Sequence, residues 1–430
     1  MTNRREFLKT AAVAGAAVST LSFARPVHAA GSGKIRVGLV GCGGRGTGAA
    51  GNALEADEDV VLTAFGDLFD GKAAGTMESL KSRYNDRVLA TKDQCFSGFD
   101  NYKQVIENCD VVLLATTPHY RPIHLAAAID AGKHAFIEKP NAVDAFGIKS
   151  CLESAAKAKQ KGLTLISGLC WRYHKGVVET MNRILDGMIG DIREIQETYL
   201  TGRLWTRPRN EGDTEMMFQN RNWYNFSWLS GDYNLEQHVH SLDKSFWALG
   251  APQAAWGCGA RMNRVEQPAY GDIYDMMGVT YEYANGVKVH SFCRQISGCY
   301  NETQDQFLGT KGYASALDHV IKGLDGKEIW RMDRKDLRGV NMYVDEHKVL
   351  YKSIKNGEAK NDGEYSSMST MMGIIGREAC YTGAKIGWDQ MLNSQKNMSP
   401  ATYDWDAVPP TKPLEGGKYE VPMPGVTQFK

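Results

Sequence analysis

The sequence lacks net charge: 50 lysines and arginines balance 50 aspartates and glutamates over 430 residues. It also lacks any basic run or interleaving of basic and aromatic side chains, which excludes the electrostatic footprint of a nucleic-acid-binding surface. Nine cysteines are present, but none forms a C-x-x-C pair. An odd, scattered set excludes a disulfide framework and a thiolate zinc site, and reads as buried thiols. Internal repeats and long low-complexity segments are missing. Long apolar runs are missing too, since a membrane span needs about 20 apolar residues and the stretch from Ala11 to Leu21 is short and alanine-rich.

That stretch fits another pattern. Thr2-Asn3-Arg4-Arg5-Glu6-Phe7-Leu8-Lys9 precedes it, and Ala24-Arg25-Pro26-Val27-His28-Ala29-Ala30 follows. Paired arginines, a short apolar core and a small-x-small end make a twin-arginine export signal over residues 1–30, cleaved near Ala29 or Ala30. The expectation is a protein passed folded through the twin-arginine translocase into the periplasm, without a membrane anchor. Loss of Arg4, Arg5, Lys9, Arg25 and Glu6 leaves the remainder slightly acidic.

What is present begins with Gly41-Cys42-Gly43-Gly44-Arg45-Gly46, between the apolar run Ile35-Arg36-Val37-Gly38-Leu39-Val40 and a small-residue segment able to start a helix. In a strand–turn–helix context G-x-G-x-x-G binds a dinucleotide: Gly41 for the turn, Gly43 for close approach of backbone to phosphate, Gly46 for helix–strand packing. Helix N-terminal N–H groups then face the anion. About 20 residues on, the strand-like Val60-Val61-Leu62-Thr63-Ala64-Phe65-Gly66 ends in Asp67, a carboxylate that accepts ribose hydroxyls and repels a 2′-phosphate. The cofactor expected is NAD rather than NADP. Free nicotinamide cofactor is scarce outside the cytoplasm, so tight binding and recycling are expected.

About 400 residues beyond the leader imply two domains. From Lys34 to about residue 166, strands and helices alternate as a doubly wound parallel sheet requires, with strands expected over 35–40, 60–65, 110–115, 134–137 and 163–166. Helices are expected from about His124 to Ala131 and from Ala155 to Lys161. Over 167–408 the texture changes to segments such as 192–199, 276–283 and 287–292, which alternate apolar and polar as half-buried antiparallel strands do. Asn285-Gly286 marks a hairpin. A sheet with one open face favours a homodimer or homotetramer. The Pro- and Gly-containing stretch 409–430 is expected to lie on the surface without regular structure.

Two further clusters carry chemistry. A strand ending in Glu138-Lys139-Pro140 puts Lys139 at the carboxyl edge of the parallel sheet, where its ammonium can hold a substrate hydroxyl; a cis Lys139–Pro140 bond would fix its direction. In Glu236-Gln237-His238-Val239-His240-Ser241-Leu242-Asp243, the spacing places Glu236, His240 and Asp243 on one helix face, a suitable setting for a general base. His238 and His240 alternate as strand ligands would, so a metal pair on a helix is disfavoured. Trp205, Trp223, Trp228, Trp247 and Trp256, with Tyr199, Tyr224 and Tyr233, crowd one region and suit stacking on sugar rings, although core packing is the commoner fate of a Trp. Arg172, Tyr173, His174 and Arg203 are candidate hydroxyl contacts.

Together these motifs resemble the Gfo/Idh/MocA oxidoreductases, over nearly the whole chain from Lys34 onward. The resemblance rests on the glycine loop, the Ala115-Thr116-Thr117-Pro118-His119 turn, Ala131-Gly132-Lys133-His134 through Lys139-Pro140, and less specifically Arg377-Glu378-Ala379-Cys380-Tyr381-Thr382-Gly383 with Trp388-Asp389. It implies an N-terminal Rossmann domain followed by an α+β domain with a large, mostly antiparallel sheet. It implies NAD contacts from Gly41 to Gly46, Asp67, Thr116, Thr117, Pro118, His119, His124, Glu138 and Lys139. Catalysis would fall to Lys139, which orients the hydroxyl, and His240 as base with Glu236 in place of the family's aspartate. His238 stands where glycine is frequent and adds a second imidazole. With Arg172, Tyr173, Trp223 and Asp243 it is expected to face a small carbohydrate. The expected activity is a sugar oxidoreductase; the alternatives are a redox-neutral NAD-dependent glycosidase and a non-catalytic sugar-binding protein.

Overall fold

A computed structural model describes residues 33–263 and 268–429, so the leader expected over residues 1–30 lies outside the described residues. Strand β1 (Ile35–Val40) is apolar on both faces and buried except at Arg36, which is what the centre of a parallel sheet requires. β2 (Val60–Gly66) and β4 (Val111–Leu114) flank it in parallel. With β3 (Cys95–Phe96), β5 (His134–Ile137) and β6 (Leu165–Ser167) the order is β3-β2-β1-β4-β5-β6. The direction of winding reverses between β1 and β4, and the carboxyl ends open a crevice at such a switch point.

Two boundaries differ from expectation, for local reasons. The helix expected from Ala155 begins at Ala145, because the Asp144 carboxylate caps it by accepting the Gly147 N–H. The next strand begins only at Leu165. Gly162, at φ +63°, and a bond from Leu163 N–H to the Ala158 carbonyl close the helix first.

The second sheet has nine strands: β7 (Ile192–Thr201), β8 (Ala254–Ala260), β9 (Met276–Glu282), β10 (Lys288–Gln295), β11 (Glu302–Gly309), β12 (Gly312–Ser315), β13 (Val320–Gly323), β14 (Glu328–Arg331) and β15 (Ile386–Gly387). Their order is β14-β13-β12-β11-β7-β10-β9-β8-β15, antiparallel throughout except for the parallel pair β7–β10. The Asn285-Gly286 turn joins β9 to β10, with Gly286 at φ +84°. Helices Val239–Leu249 and Gly363–Thr382 pack on one face of this sheet, while Trp256, Phe292 and Leu308 are exposed on the other. Helix Gly363–Thr382 is buried almost all round because helix Ala145–Gln160, beside the first sheet, covers its far side. One apolar cluster therefore runs from Ala142, Ala145 and Ile148 to Leu235, Tyr281 and Val289.

The familial stretch after residue 377 serves this junction. The fully buried Arg377 guanidinium donates to the Val143 and Gly231 carbonyls and to Glu378. Residues 409–429 carry one short 3₁₀ turn, Glu415–Gly417. No helix among the described residues is long and apolar enough to cross a membrane.

Candidate active site

At the end of β1 the chain turns through Gly41, whose φ of +98° suits only glycine; a Cβ there would also lie 2.6 Å from the Thr116 nitrogen. Helix Gly44–Ala56 starts directly after Gly43. Gly46 comes so close to the turn that a Cβ would meet the Gly41 oxygen at 1.8 Å, whereas at Gly43 and Gly44 a Cβ would meet nothing within 4 Å. The loop is tight against its strand and bare at the helix N-terminus, where N–H groups and the dipole favour an anion. Asp67, just past β2, accepts the Cys42 N–H at 2.7 Å and the Phe69 N–H at 3.0 Å; burial pushes its pKa up. Cys42 itself is buried, its thiol pushed well up by burial. Thr116 and Thr117 line the opposite turn, and the buried Thr117 hydroxyl has no protein partner. An open glycine edge, a carboxylate just past the neighbouring strand and an unpartnered hydroxyl fit a dinucleotide.

Beyond β5 come Glu138 and Lys139, and the Lys139–Pro140 peptide is cis. Lys139 Nζ donates to Glu236 Oε1 at 3.1 Å and also to the Glu236 carbonyl. Glu138 turns inward and takes the Arg45 Nε–H and the Lys139 N–H. Burial would raise the Glu138 pKa, but Arg45 and Arg121 hold it below the usual range. Arg45 also reaches Glu346 at 3.1 Å and lies over the Tyr343 ring at 4.7 Å, both from helix Met342–Asn356. Arg121, fully enclosed, donates to the Pro140 carbonyl, its pKa brought down to about 10 by burial against the pull of Glu138 and Glu236. Arg45, Arg121 and Lys139 thus stand against Glu138 and Glu236 at the carboxyl edge of the parallel sheet, with Glu346 held towards its neutral form by burial and by Glu138.

His240 shares this field. Burial first, then Lys139, Lys244 and Arg45, hold its pKa well below the usual histidine range, so the imidazole is neutral at neutral pH. Its Nδ1 is buried without a protein partner.

The single helix face expected for Glu236, His240 and Asp243 does not form. Helices Tyr233–Glu236 and Val239–Leu249 are separate, and at the break both Gln237 N–H and His238 N–H bond to the Tyr233 carbonyl. The break turns His238 into the interior, bonded to Ser291 Oγ, with its pKa held down to about 3 by burial and by Lys244. It is a core histidine and not a second imidazole facing substrate. Asp243 is committed to Arg172, at 2.9 Å, and to the Ser369 hydroxyl. Arg172 in turn lies over the Tyr365 ring, and Tyr173 donates to Asp362, so these residues tie the junction between the sheets instead of presenting donors to a ligand.

Two expected cofactor contacts also face inward. Burial holds His119 and His124 down to about 3 each; His119 bonds the Tyr403 hydroxyl and His124 stacks on Tyr102. With buried Pro118 they brace the Thr116–Thr117 turn from behind. The aromatic crowd divides as well. Trp228 is fully buried, Trp247 lies against Arg172, and Trp256 sits on the outer sheet face. Trp205, Trp223 and Tyr224 remain together, with ring centroids 5.2 to 6.0 Å apart, and Tyr199 meets Tyr233 edge-on at 6.1 Å. Arg203 lies over the Tyr270 ring. Arg121, Tyr343, Glu346 and Lys244 were missed by the motif reading. Tyr343 and Glu346 belong to no local pattern and reach the site only through the packing of a distant helix, whereas Lys244 follows His240 by four residues on one helix and donates to its carbonyl.

Fold and site together define a class: a dinucleotide-binding parallel sheet joined to a large one-sided mixed sheet, with a lysine and a neutral histidine at the carboxyl edge. Residues 35–168 match the Gfo/Idh/MocA family, described as an oxidoreductase family with an NAD-binding Rossmann fold, and form an NAD(P)-binding domain of that kind. The chain is 22% identical over 370 residues to myo-inositol 2-dehydrogenase of Thermotoga maritima, covering 83% of this chain and 100% of that protein. It is 27% identical over 250 residues to a glycosyl hydrolase family 109 protein of Solibacter usitatus, covering 54% of this chain and 52% of that one. Against the crystal structure of aldose–aldose oxidoreductase from Caulobacter crescentus in complex with glycerol, the TM-score is 0.63 at 16% identity, over 82% of this chain and 99% of the other. The chain spans between about half and three-fifths of the length of the first curated relatives it matches.

Proposed function

We propose that the whole chain is a Gfo/Idh/MocA-type oxidoreductase that uses NAD to act on a hydroxyl of a sugar or glycoside. The observation that carries this reading is the pairing of Lys139 with Glu236 beside a neutral, partly buried His240 at the mouth of the glycine-loop crevice. NAD bound there supplies the hydride acceptor. The bare backbone at Gly43 and Gly44 holds the pyrophosphate, and Asp67 takes ribose hydroxyls and disfavours a 2′-phosphate. Lys139, aimed by Glu236, orients the reacting hydroxyl and stabilises the developing alkoxide. His240 accepts the hydroxyl proton, and the surrounding cations keep it in the base form.

The proposal includes export by the twin-arginine route and tight cofactor retention. It also includes assembly as a homodimer or homotetramer through the open sheet face, where Trp256, Phe292 and Leu308 are exposed. A second reading, favoured by the likeness to proteins named glycosyl hydrolase family 109, is a redox-neutral cycle. In that cycle transient oxidation would acidify a neighbouring C–H, the aglycone would leave as an alcohol by elimination, water would add to the resulting enone, and return of the hydride to the ketone would restore the sugar. The test is nicotinamide absorbance over a panel of sugars and glycosides, for the wild type and for Lys139→Ala and His240→Ala. A lasting sugar-dependent rise that both variants abolish supports the first reading. Glycoside cleavage with no lasting rise supports the second, and a ligand response untouched by either variant contradicts both.

A further inference from the structure

Helix Val239–Leu249 carries His240 in its first turn, and the three residues 243–245 on it are polar and almost wholly buried. Each is fixed to a different element. Asp243 binds Arg172 and Ser369, Lys244 pairs with Asp305 of β11 at 2.7 Å, and Ser245 donates to Glu197 of β7. Lys244 Nζ also donates to the His240 carbonyl at 2.8 Å and lies 5.4 Å from the Trp171 ring. The side chains of Lys244 and Asp305 are 1% and 0% exposed. Burying an ion pair this deep costs desolvation that its attraction only partly repays, so stability alone is a poor account of it. Glu197, its pKa pushed above the usual carboxylate range by burial and by Asp305, keeps a proton. Lys244 and Asp305 form the ion pair behind the base.

We propose that Lys244 is a positioning residue for His240, acting through its buried pair with Asp305 and its hydrogen bond to the His240 carbonyl. This rests on the reading of His240 as the base. Three cations act on that imidazole, Lys139 from beyond β5, Arg45 from helix Gly44–Ala56 and Lys244 from its own helix; Glu236, bound to Lys139, adds an anion. Lys139 and Arg45 come from the cofactor side. Lys244 alone is fixed from behind, where no substrate reaches, so it acts on the base before any ligand arrives.

The test uses the full-length protein and follows the His240 imidazole by NMR across pH, its signal assigned with His240→Gln, alongside NAD affinity by fluorescence and thermal unfolding. Lys244→Met is expected to keep NAD affinity and to move the His240 midpoint upward by about one unit. It is also expected to lower kcat about tenfold at unchanged KM, and Lys244→Arg is expected to restore both. If Lys244→Met fails to fold, the double variant Lys244→Met with Asp305→Leu, which removes both buried charges, is expected to give a smaller rise of the midpoint, the lost anion offsetting part of the lost cation, with the same loss of kcat. An unmoved His240 midpoint in the folded variant overturns the positioning role, whatever reaction is catalysed. A shifted midpoint in a protein that shows no sugar-dependent change sinks the oxidoreductase reading and leaves the positioning role standing.

Discussion

Lys139 Nζ lies 3.1 Å from Glu236 Oε1, so the end of a parallel strand and a helical turn of the second unit meet in one ion pair at the crevice mouth. Both partners are largely enclosed, at 16% and 10% side-chain exposure, and the pair aims the ammonium. Lys139→Met is expected to lower kcat by about two to three orders of magnitude, the scale of losing one preorganised electrostatic donor. Glu236→Gln, which keeps an acceptor oxygen, is expected to lose only about tenfold. Steady-state rates together with NAD affinity check this, and both variants should bind NAD as the wild type does.

The glycine loop separates folding from binding. Gly46→Ala places a methyl 1.8 Å from the Gly41 oxygen and is expected to destabilise the protein by several kcal/mol while losing NAD. Gly43→Ala has open space around it and is expected to leave thermal unfolding unchanged and weaken NAD binding at least tenfold. Calorimetry with a cofactor titration distinguishes the two; equal losses of stability would contradict the assignment.

Arg45 carries a second structural burden. Arg45→Met takes the shared partner from Glu138, which keeps Arg121 nearby, and from Glu346, which burial already holds towards its neutral form, and is expected to cost about 1–3 kcal/mol in urea unfolding. Arg45→Lys should recover only part of that, because an ammonium cannot span both carboxylates as the guanidinium fork does.

Much of this arrangement was legible from local pattern. Strands β1 and β5 fall where their apolar runs place them, and the Asn285-Gly286 turn and the cis Lys139–Pro140 peptide are where their residues point. The glycine loop has the expected strand–turn–helix context. Failures arose where tertiary contact overrode spacing. Glu236 and His240 stand four apart, yet the helix breaks between them, where the Gln237 and His238 N–H groups both bond to the Tyr233 carbonyl. Asp243 reads as a site carboxylate from spacing, but Arg172 claims it from across the junction. Glu346 completes the Arg45 cluster from helix Met342–Asn356, and no periodicity relates residues so far apart in the chain.

Acid should unfold this protein by way of its enclosed histidines. His119, His124, His238 and His347 are each held down to about 3, by burial first. Above pH about 6.5 they are neutral both folded and unfolded, and contribute nothing to the pH dependence. Below it the unfolded chain takes up protons that the folded protein refuses. Stability is then expected to fall by about 1.4 kcal/mol per pH unit for each histidine until pH approaches 3. His347 packs against the Phe136 ring, tilted at 4.5 Å, and has neither ring nitrogen bonded, so His347→Phe is expected to reduce that slope by one histidine's share. Urea midpoints from pH 7 to pH 4 check this, and an unchanged slope would contradict it.

The central claim is tested most directly by the reduced-nicotinamide absorbance of protein purified without added cofactor, before and after exposure to sugars and glycosides. The account predicts a bound dinucleotide whose absorbance rises and persists with a sugar, a response absent from Lys139→Ala and His240→Ala. Protein that binds no dinucleotide, even when NAD is added, would contradict it.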